Sequence, residues 1–154
     1  MAIEIGLQGH AETLVEKEDT AQSVGSGGLL VYATPCLAAL MEGAAYESIA
    51  PLLAADESSV GTRMDLTHSS ATPVGMQVRA ESTVTAVEGR KITFEIVAYD
   101  ETGEIGRAVH ERVVIKTERF LEKCYDKLRK EPQPWKNSFC RPDRSSAPTA
   151  YREK

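Results

Sequence analysis

At 154 residues, with 42% hydrophobic and 27% charged side chains, the chain has the length and balance of one folded domain with its own core. A formal charge of −5 and no basic stripe argue against nucleic-acid binding, which rests on phosphate contacts. No apolar run approaches the roughly 18 residues needed to span a bilayer, and the opening MAIEIGLQGHAE carries an early acid and no basic segment, unlike a signal peptide, so a cytoplasmic protein that binds no membrane is expected.

In chain order, Ile5 to Lys17 reads as a strand and Asp19-Thr20-Ala21-Gln22 as a short helical turn. Gly25-Ser26-Gly27-Gly28 is a loop, and Leu29 to Tyr32 a brief apolar return. The segment TPCLAALMEGAAYESIAPLLAAD then predicts a long helix, with Thr34 as N-cap and Pro35 at the first helical position. Leu37, Leu40, Met41, Ala44 and Ser48 recur at helical spacing, and Pro51 ends or kinks the helix.

Three alternating strands follow. In the first, Val60, Thr62, Met64, Leu66 and His68 share one face, with Gly61, Arg63, Asp65 and Thr67 on the other. In the second, Met76, Val78, Ala80, Ser82, Val84 and Ala86 alternate with polar residues. After a turn at Glu88-Gly89-Arg90, the third sets Ile92, Phe94, Ile96 and Ala98 on one face. Asp100-Glu101-Thr102-Gly103 is a hairpin signal, and a last strand covers Glu104 to Lys116.

Residues 1–116 therefore form one domain. Thr117 to Lys130 predicts a C-terminal helix with Phe120, Leu121, Cys124 and Leu128 on one side, and residues 131–154 read as a Pro-rich extended or disordered tail with Trp135 and Phe139 as docking residues. A long helix on one face of a curved antiparallel sheet is an α+β arrangement.

Glu42 interrupts the apolar helical stretch LAALMEGAA. A carboxylate there is expected to feel desolvation, and perturbed carboxylates are candidates for catalysis; the plain alternative is a residue at the solvent edge of the helix. Thr34, Ala38, Glu42, Ala45 and Ile49 form one stripe. Thr34 and Glu42 lie about 12 Å apart along it at ~1.5 Å per residue. The helix N-terminus offers free N–H groups for a developing oxyanion. His68 ends its strand on the apolar face, beside Ser69, Ser70 and Thr72, where an imidazole can act as a base near neutral pH. His110 reads as a strand residue paired with Glu111 or Arg112, and His10 as exposed. Cys36, Cys124 and Cys140 match no zinc or disulfide spacing, and Cys36 has no adjacent His to activate it. No metal cluster, phosphate loop or nucleophile elbow is present.

These residues resemble the fluoroacetyl-CoA thioesterase-like family of hotdog proteins. The matching stretches are Ala33-Thr34-Pro35, Glu42 in LMEGAA, Val60-Gly61-Thr62-Arg63, Leu66-Thr67-His68, Thr72-Pro73-Val74-Gly75 and His110-Glu111-Arg112-Val113-Val114, within roughly Thr13 to Lys116. The resemblance implies a hotdog fold and a homodimer, or a dimer of dimers, whose sheets join side by side with active sites at the interface. It implies hydrolysis of a small or medium acyl-CoA. Thr34, Glu42 and His68 form the catalytic set, and Gly61 and Arg112 are substrate contacts. Coenzyme A is part of the substrate, with no retained cofactor and no metal. The family's namesake carries a phenylalanine in the lid before the central helix. Here SVGSGGLLVYA has none, so Leu29, Leu30 or Tyr32 is expected to line the acyl pocket. The competing functional reading is a non-catalytic acyl-CoA binding or sensing module; a hotdog hydratase lacks its Asp-x-x-x-x-His run here.

Overall fold

A computed structural model describes residues 2–131. The elements are β1 (Gln8–Leu14), a one-turn helix α1 (Ala21–Val24), the long helix α2 (Thr34–Ile49), β2 (Glu57–His68), β3 (Gln77–Glu88), β4 (Lys91–Asp100), β5 (Gly103–Lys116) and α3 (Thr117–Tyr125). The five strands form one antiparallel sheet in the order β1-β3-β4-β5-β2, curled around α2 in the hotdog arrangement.

The alternation in β3 and β4 becomes the core. Val78, Ala80, Ser82 and Val84 of β3 and Ile92, Phe94, Ile96 and Ala98 of β4 are buried, facing Leu37, Met41, Ala44, Ala45 and Ile49 of α2. Each large apolar side chain removed from water contributes about 1.5–3 kcal/mol, which favours seating the helix in the sheet. Small residues set how closely it sits. A Cβ on Gly9 of β1 would strike the Ala44 carbonyl and the Ser48 side chain.

Three readings of the sequence shift by a few residues. β1 is confined to Gln8–Leu14, and a 3-10 turn occupies Lys17–Asp19. The short helical turn expected over Asp19-Thr20-Ala21-Gln22 is α1, capped by Thr20, whose side chain accepts from the Ser23 N–H. α2 begins one residue earlier than Pro35 suggests. Ala33 is its N-cap, without a side-chain hydrogen bond, and Thr34 lies inside the helix. At the other end Pro51 does stop α2, within a 3-10 turn over Ala50–Leu52.

The fourth difference changes which side chains face inward. β2 pairs Gly61 with Arg112 but Arg63 with Glu111, so Thr62 is an extra residue in a β-bulge. Strict alternation puts Val60 and Thr62 with His68 and sends Gly61 outward. The bulge exchanges the faces. Ser59 and Gly61 face α2 before it, Met64, Leu66 and His68 after it, and Thr62 is exposed.

The chain divides after Lys116. In the second unit α3 covers Thr117–Tyr125 and continues as a 3-10 turn over Asp126–Arg129, where one α-helix through Lys130 is expected. Readings that concern residues 132–154, Trp135, Phe139 and Cys140 among them, lie outside the described residues. No helix of the described residues is long and apolar enough to cross a membrane.

Candidate active site

Two clusters of functional side chains lie along α2. The first is at its N-terminus. Because Ala33 takes the cap position, the Thr34 hydroxyl is free of capping and meets His68 Nδ1 at 2.8 Å. The last inward residue of β2 thereby reaches the first turn of the helix. Burial lowers the His68 pKa, opposed by the Ser70 backbone, so the imidazole is neutral at neutral pH. Its Nε2 is buried without a hydrogen-bond partner. A cavity of about 290 Å³ opens beside the pair, bounded by Ser26, Tyr32, Thr34, His68, Ser69 and Ser70 among others. In the first turn of a helix the N–H groups lack intrahelical acceptors. Pro35 has none, which leaves those of Thr34 and Cys36 for an anionic oxygen.

The second cluster lies two turns further along. Arg112 of β5 is buried, and each of its guanidinium nitrogens is engaged. Nε donates to Ser59 Oγ at 2.9 Å, Nη2 to the Ser59 carbonyl at 2.9 Å, and Nη1 to Glu42 Oε2 at 3.1 Å. Nη1 also faces His110 Nε2 at 3.3 Å. The guanidinium lies over the Tyr46 ring, 5.5 Å from its centre, a favourable cation–π contact. The Glu42 side chain is 46% exposed. Glu42 thus lies at the solvent edge of α2 rather than buried in the apolar stretch around it, facing Gly61 and ion-paired with Arg112.

Gly61 makes room for this carboxylate. A Cβ there would collide with Glu42 Oε2 and come within 3.1 Å of His110 Cε1. We predict that Gly61→Ala displaces the Glu42 carboxylate and lowers kcat by about tenfold to a hundredfold, the scale of a ~1 Å misplacement near a site, while circular dichroism shows the fold retained. A wild-type kcat in this variant would mean that the Glu42 position is not critical.

The clusters are distinct within one chain. No hydrogen bond or ion pair among the described residues joins Glu42 to Thr34 or His68, and the helical stripe separates them as the spacing requires. Of the remaining expected contacts, Tyr32 is buried beside the first cluster, with burial raising the pKa of its hydroxyl. Leu29 and Leu30 are 68% and 53% exposed on the preceding loop and do not line the cavity. Cys36 is partly buried, and burial raises its thiol pKa, so it is no activated nucleophile.

His110 is the residue beside Glu42 that sequence reasoning did not include in the site. It does meet Arg112, as its neighbours suggest, but inside the protein and beside Glu42. It is 1% exposed, with Nε2 3.8 Å from Glu42 Oε2. The signal was parity. His110 and Arg112 alternate with the same phase as buried Ala108 on β5, so both polar side chains had to point inward.

A larger hollow, about 510 Å³, lies among Glu12, Arg79, Glu81 and Asp100. Its Glu12 and Glu81 carboxylates are already paired with Arg79 at 2.9 Å, and its Asp100 carboxylate is held by the Thr72 and Thr102 hydroxyls. Among the described residues no group of three or more His, Cys, Asp or Glu side chains is placed to hold a metal ion.

The model of the fluoroacetyl-CoA-specific thioesterase family matches residues 15–118 of the chain. A fluoroacetyl-CoA thioesterase of Streptantibioticus cattleyicolor is 40% identical over 97 residues, covering 63% of this chain and 70% of its own. A crystal structure of a mutant fluoroacetyl-CoA-specific thioesterase in complex with fluoroacetate and CoA superposes with a TM-score of 0.73 at 32% identity, over 77% of this chain and 99% of that one. A thioesterase superfamily member from Thermus thermophilus superposes with a TM-score of 0.76 at 28% identity, over 83% of this chain and 94% of that one.

Proposed function

The chain belongs to the fluoroacetyl-CoA-specific thioesterase family, and from that premise we propose that it is an acyl-CoA thioesterase whose working site combines the Thr34–His68 pair with Glu42. The observation that carries this reading is the 2.8 Å contact between the Thr34 hydroxyl and a neutral His68 at the N-terminus of α2, beside a cavity. A thioester carbonyl seated there becomes an oxyanion on attack. The first-turn N–H groups and the positive end of the helix dipole favour that charge. His68 accepts and returns the proton in motion, and Thr34 orients the imidazole. Glu42 acts on the thioester carbon, either by attack or by taking a proton from water. Water is consumed, the C–S bond breaks, and the free acid and CoA thiol leave.

Glu42 lies too far along α2 to share one carbonyl with Thr34 of its own chain, and a second copy removes that distance. β2 is an edge strand bonded only to β5, and Gly61 and His68 both lie on its inner face. Antiparallel pairing of two β2 edges about a two-fold axis joins the sheets and carries the Glu42 of one chain toward the Thr34–His68 pair of the other. The homodimer, or a dimer of dimers, is in this reading the catalytic unit. With no phenylalanine in residues 23–33, the acyl pocket is bounded by Tyr32 and accepts small or medium acyl groups rather than fluoroacetyl alone.

Release of CoA thiol from a panel of acyl-CoAs tests this directly. Turnover of short-chain members is expected. Saturable binding with no thiol release from any member would assign the fold to acyl-CoA sensing instead.

A further inference from the structure

His110 is nearly fully buried, yet the chemistry so far gives it no task. Its surroundings define its protonation. Nδ1 lies 2.7 Å from the Arg63 backbone carbonyl oxygen. That oxygen can only accept, so Nδ1 carries the hydrogen. In the neutral ring Nε2 is then bare, and Arg112 Nη1 donates to it at 3.3 Å. The same Nη1 donates to Glu42 Oε2 at 3.1 Å. The ring packs against Phe94 with centroids 6.1 Å apart, which fixes its plane. The charged and titratable groups around it are Glu42 from α2, and Glu111 and Arg112 from β5; β2 contributes the Arg63 carbonyl, and Arg112 in turn meets Tyr46 and Ser59.

We propose that His110 is a positioning residue for hydrolysis: its bare Nε2 orients the Arg112 guanidinium, which holds Glu42 in place, and protonation of Nε2 undoes that arrangement. A second N–H on the ring would face the Arg112 N–H groups, donor against donor and cation against cation. The nearest acceptor is then Glu42 Oε2, now 3.8 Å away, so the carboxylate is drawn from Arg112 to the imidazolium. The proposal rests on Glu42 acting in thioester hydrolysis.

The sign follows from burial, which lowers the pKa of His110; the Arg63 carbonyl opposes the shift, Arg112 adds to it, and Glu42 and Glu111 oppose it. The neutral, organising form prevails at neutral pH. It is lost as pH falls through a value below the ordinary one of about 6.5. Protonation of His110 therefore adds an ionisation of its own to the acid-side decline of activity, beside those of the reacting groups.

Two measurements on the full chain test this. The first needs no variant and no substrate. NMR of isotope-labelled imidazole nitrogens at neutral pH is expected to show His110 with Nδ1 protonated and Nε2 bare. A protonated Nε2 would overturn the assignment whether or not the protein is a thioesterase. The second compares His110→Gln, whose amide oxygen replaces the acceptor without titrating, with His110→Leu. The glutamine variant is expected to keep kcat within about threefold and to lose one ionisation from the acid limb, whereas the leucine variant loses kcat by about tenfold or more with little change in KM. Wild-type kcat and an unchanged acid limb in His110→Leu would refute the role. If neither variant folds, the tautomer of the wild-type ring decides.

Discussion

Glu42→Gln is expected to lower kcat for acyl-CoA hydrolysis by about a thousandfold or more, the loss typical of a removed general base being about a hundredfold to ten-thousandfold and that of a nucleophile larger still, with the fold and CoA binding retained. Retention follows from geometry. The amide oxygen of glutamine can still accept from Arg112 Nη1, now 3.1 Å from Glu42 Oε2, so the cluster keeps its hydrogen bonds and loses only the charge and the basic oxygen. A single turnover of wild-type protein in heavy-oxygen water divides the two routes open to this carboxylate. Label found in Glu42 means the glutamate attacked and was regenerated by water at its own carboxyl carbon, which rejects direct attack by water; direct attack by water puts label in the released acid alone. A Glu42→Gln protein hydrolysing at the wild-type rate would remove Glu42 from the mechanism.

The second large effect is on stability. Arg112→Leu leaves Ser59 Oγ, the Ser59 carbonyl, His110 Nε2 and Glu42 without their donor. Breaking one side of a buried ion pair costs about 3–5 kcal/mol, and the half-exposed Glu42 places this loss near 3 kcal/mol. For a chain of this size that lowers Tm by about 10 °C. Arg112→Lys restores a charge but not the planar fork that spans Ser59 and Glu42, so it should recover under half of the loss. Thermal unfolding by calorimetry checks both. A leucine variant melting with the wild type would mean that the polar cluster adds nothing to the fold.

Most of the fold was legible because its strands obey period two. Val78 to Val84 and Ile92 to Ala98 alternate cleanly, and those faces are the core. The bulge at Thr62 was not legible. An extra residue has no signature in a pattern of alternation, and it reversed the facing of Gly61 and Val60. The start of α2 was misplaced by one residue because threonine before proline favours a cap. Tertiary contact prevailed, since the Thr34 hydroxyl gains His68 as a partner.

The candidate site was legible in its residues and less so in its assembly. Thr34, Glu42 and His68 stood out as polar groups on apolar faces, and the structure pairs two of them. The helical stripe gave both the shared direction of Thr34 and Glu42 and their separation of about 12 Å along the axis at ~1.5 Å per residue, but nothing in a single chain's periodicity says what lies between them. His110 read as a strand residue paired with Glu111 or Arg112, and the structure does pair it with Arg112. Its depth was carried by the phase that both residues share with Ala108, and burial of both follows that phase.

Assembly of a working site from two chains can be measured by mixing. Unfolding Glu42→Gln and His68→Ala proteins together and refolding them gives half mixed dimers, each with one site that draws an intact Glu42 from one chain and an intact Thr34–His68 pair from the other. Hydrolysis should recover to about a quarter of the wild-type rate, as symmetric dimer statistics require. Activity no higher than that of the two variants alone would contradict a shared site and place all three groups, or their replacement, within a single chain.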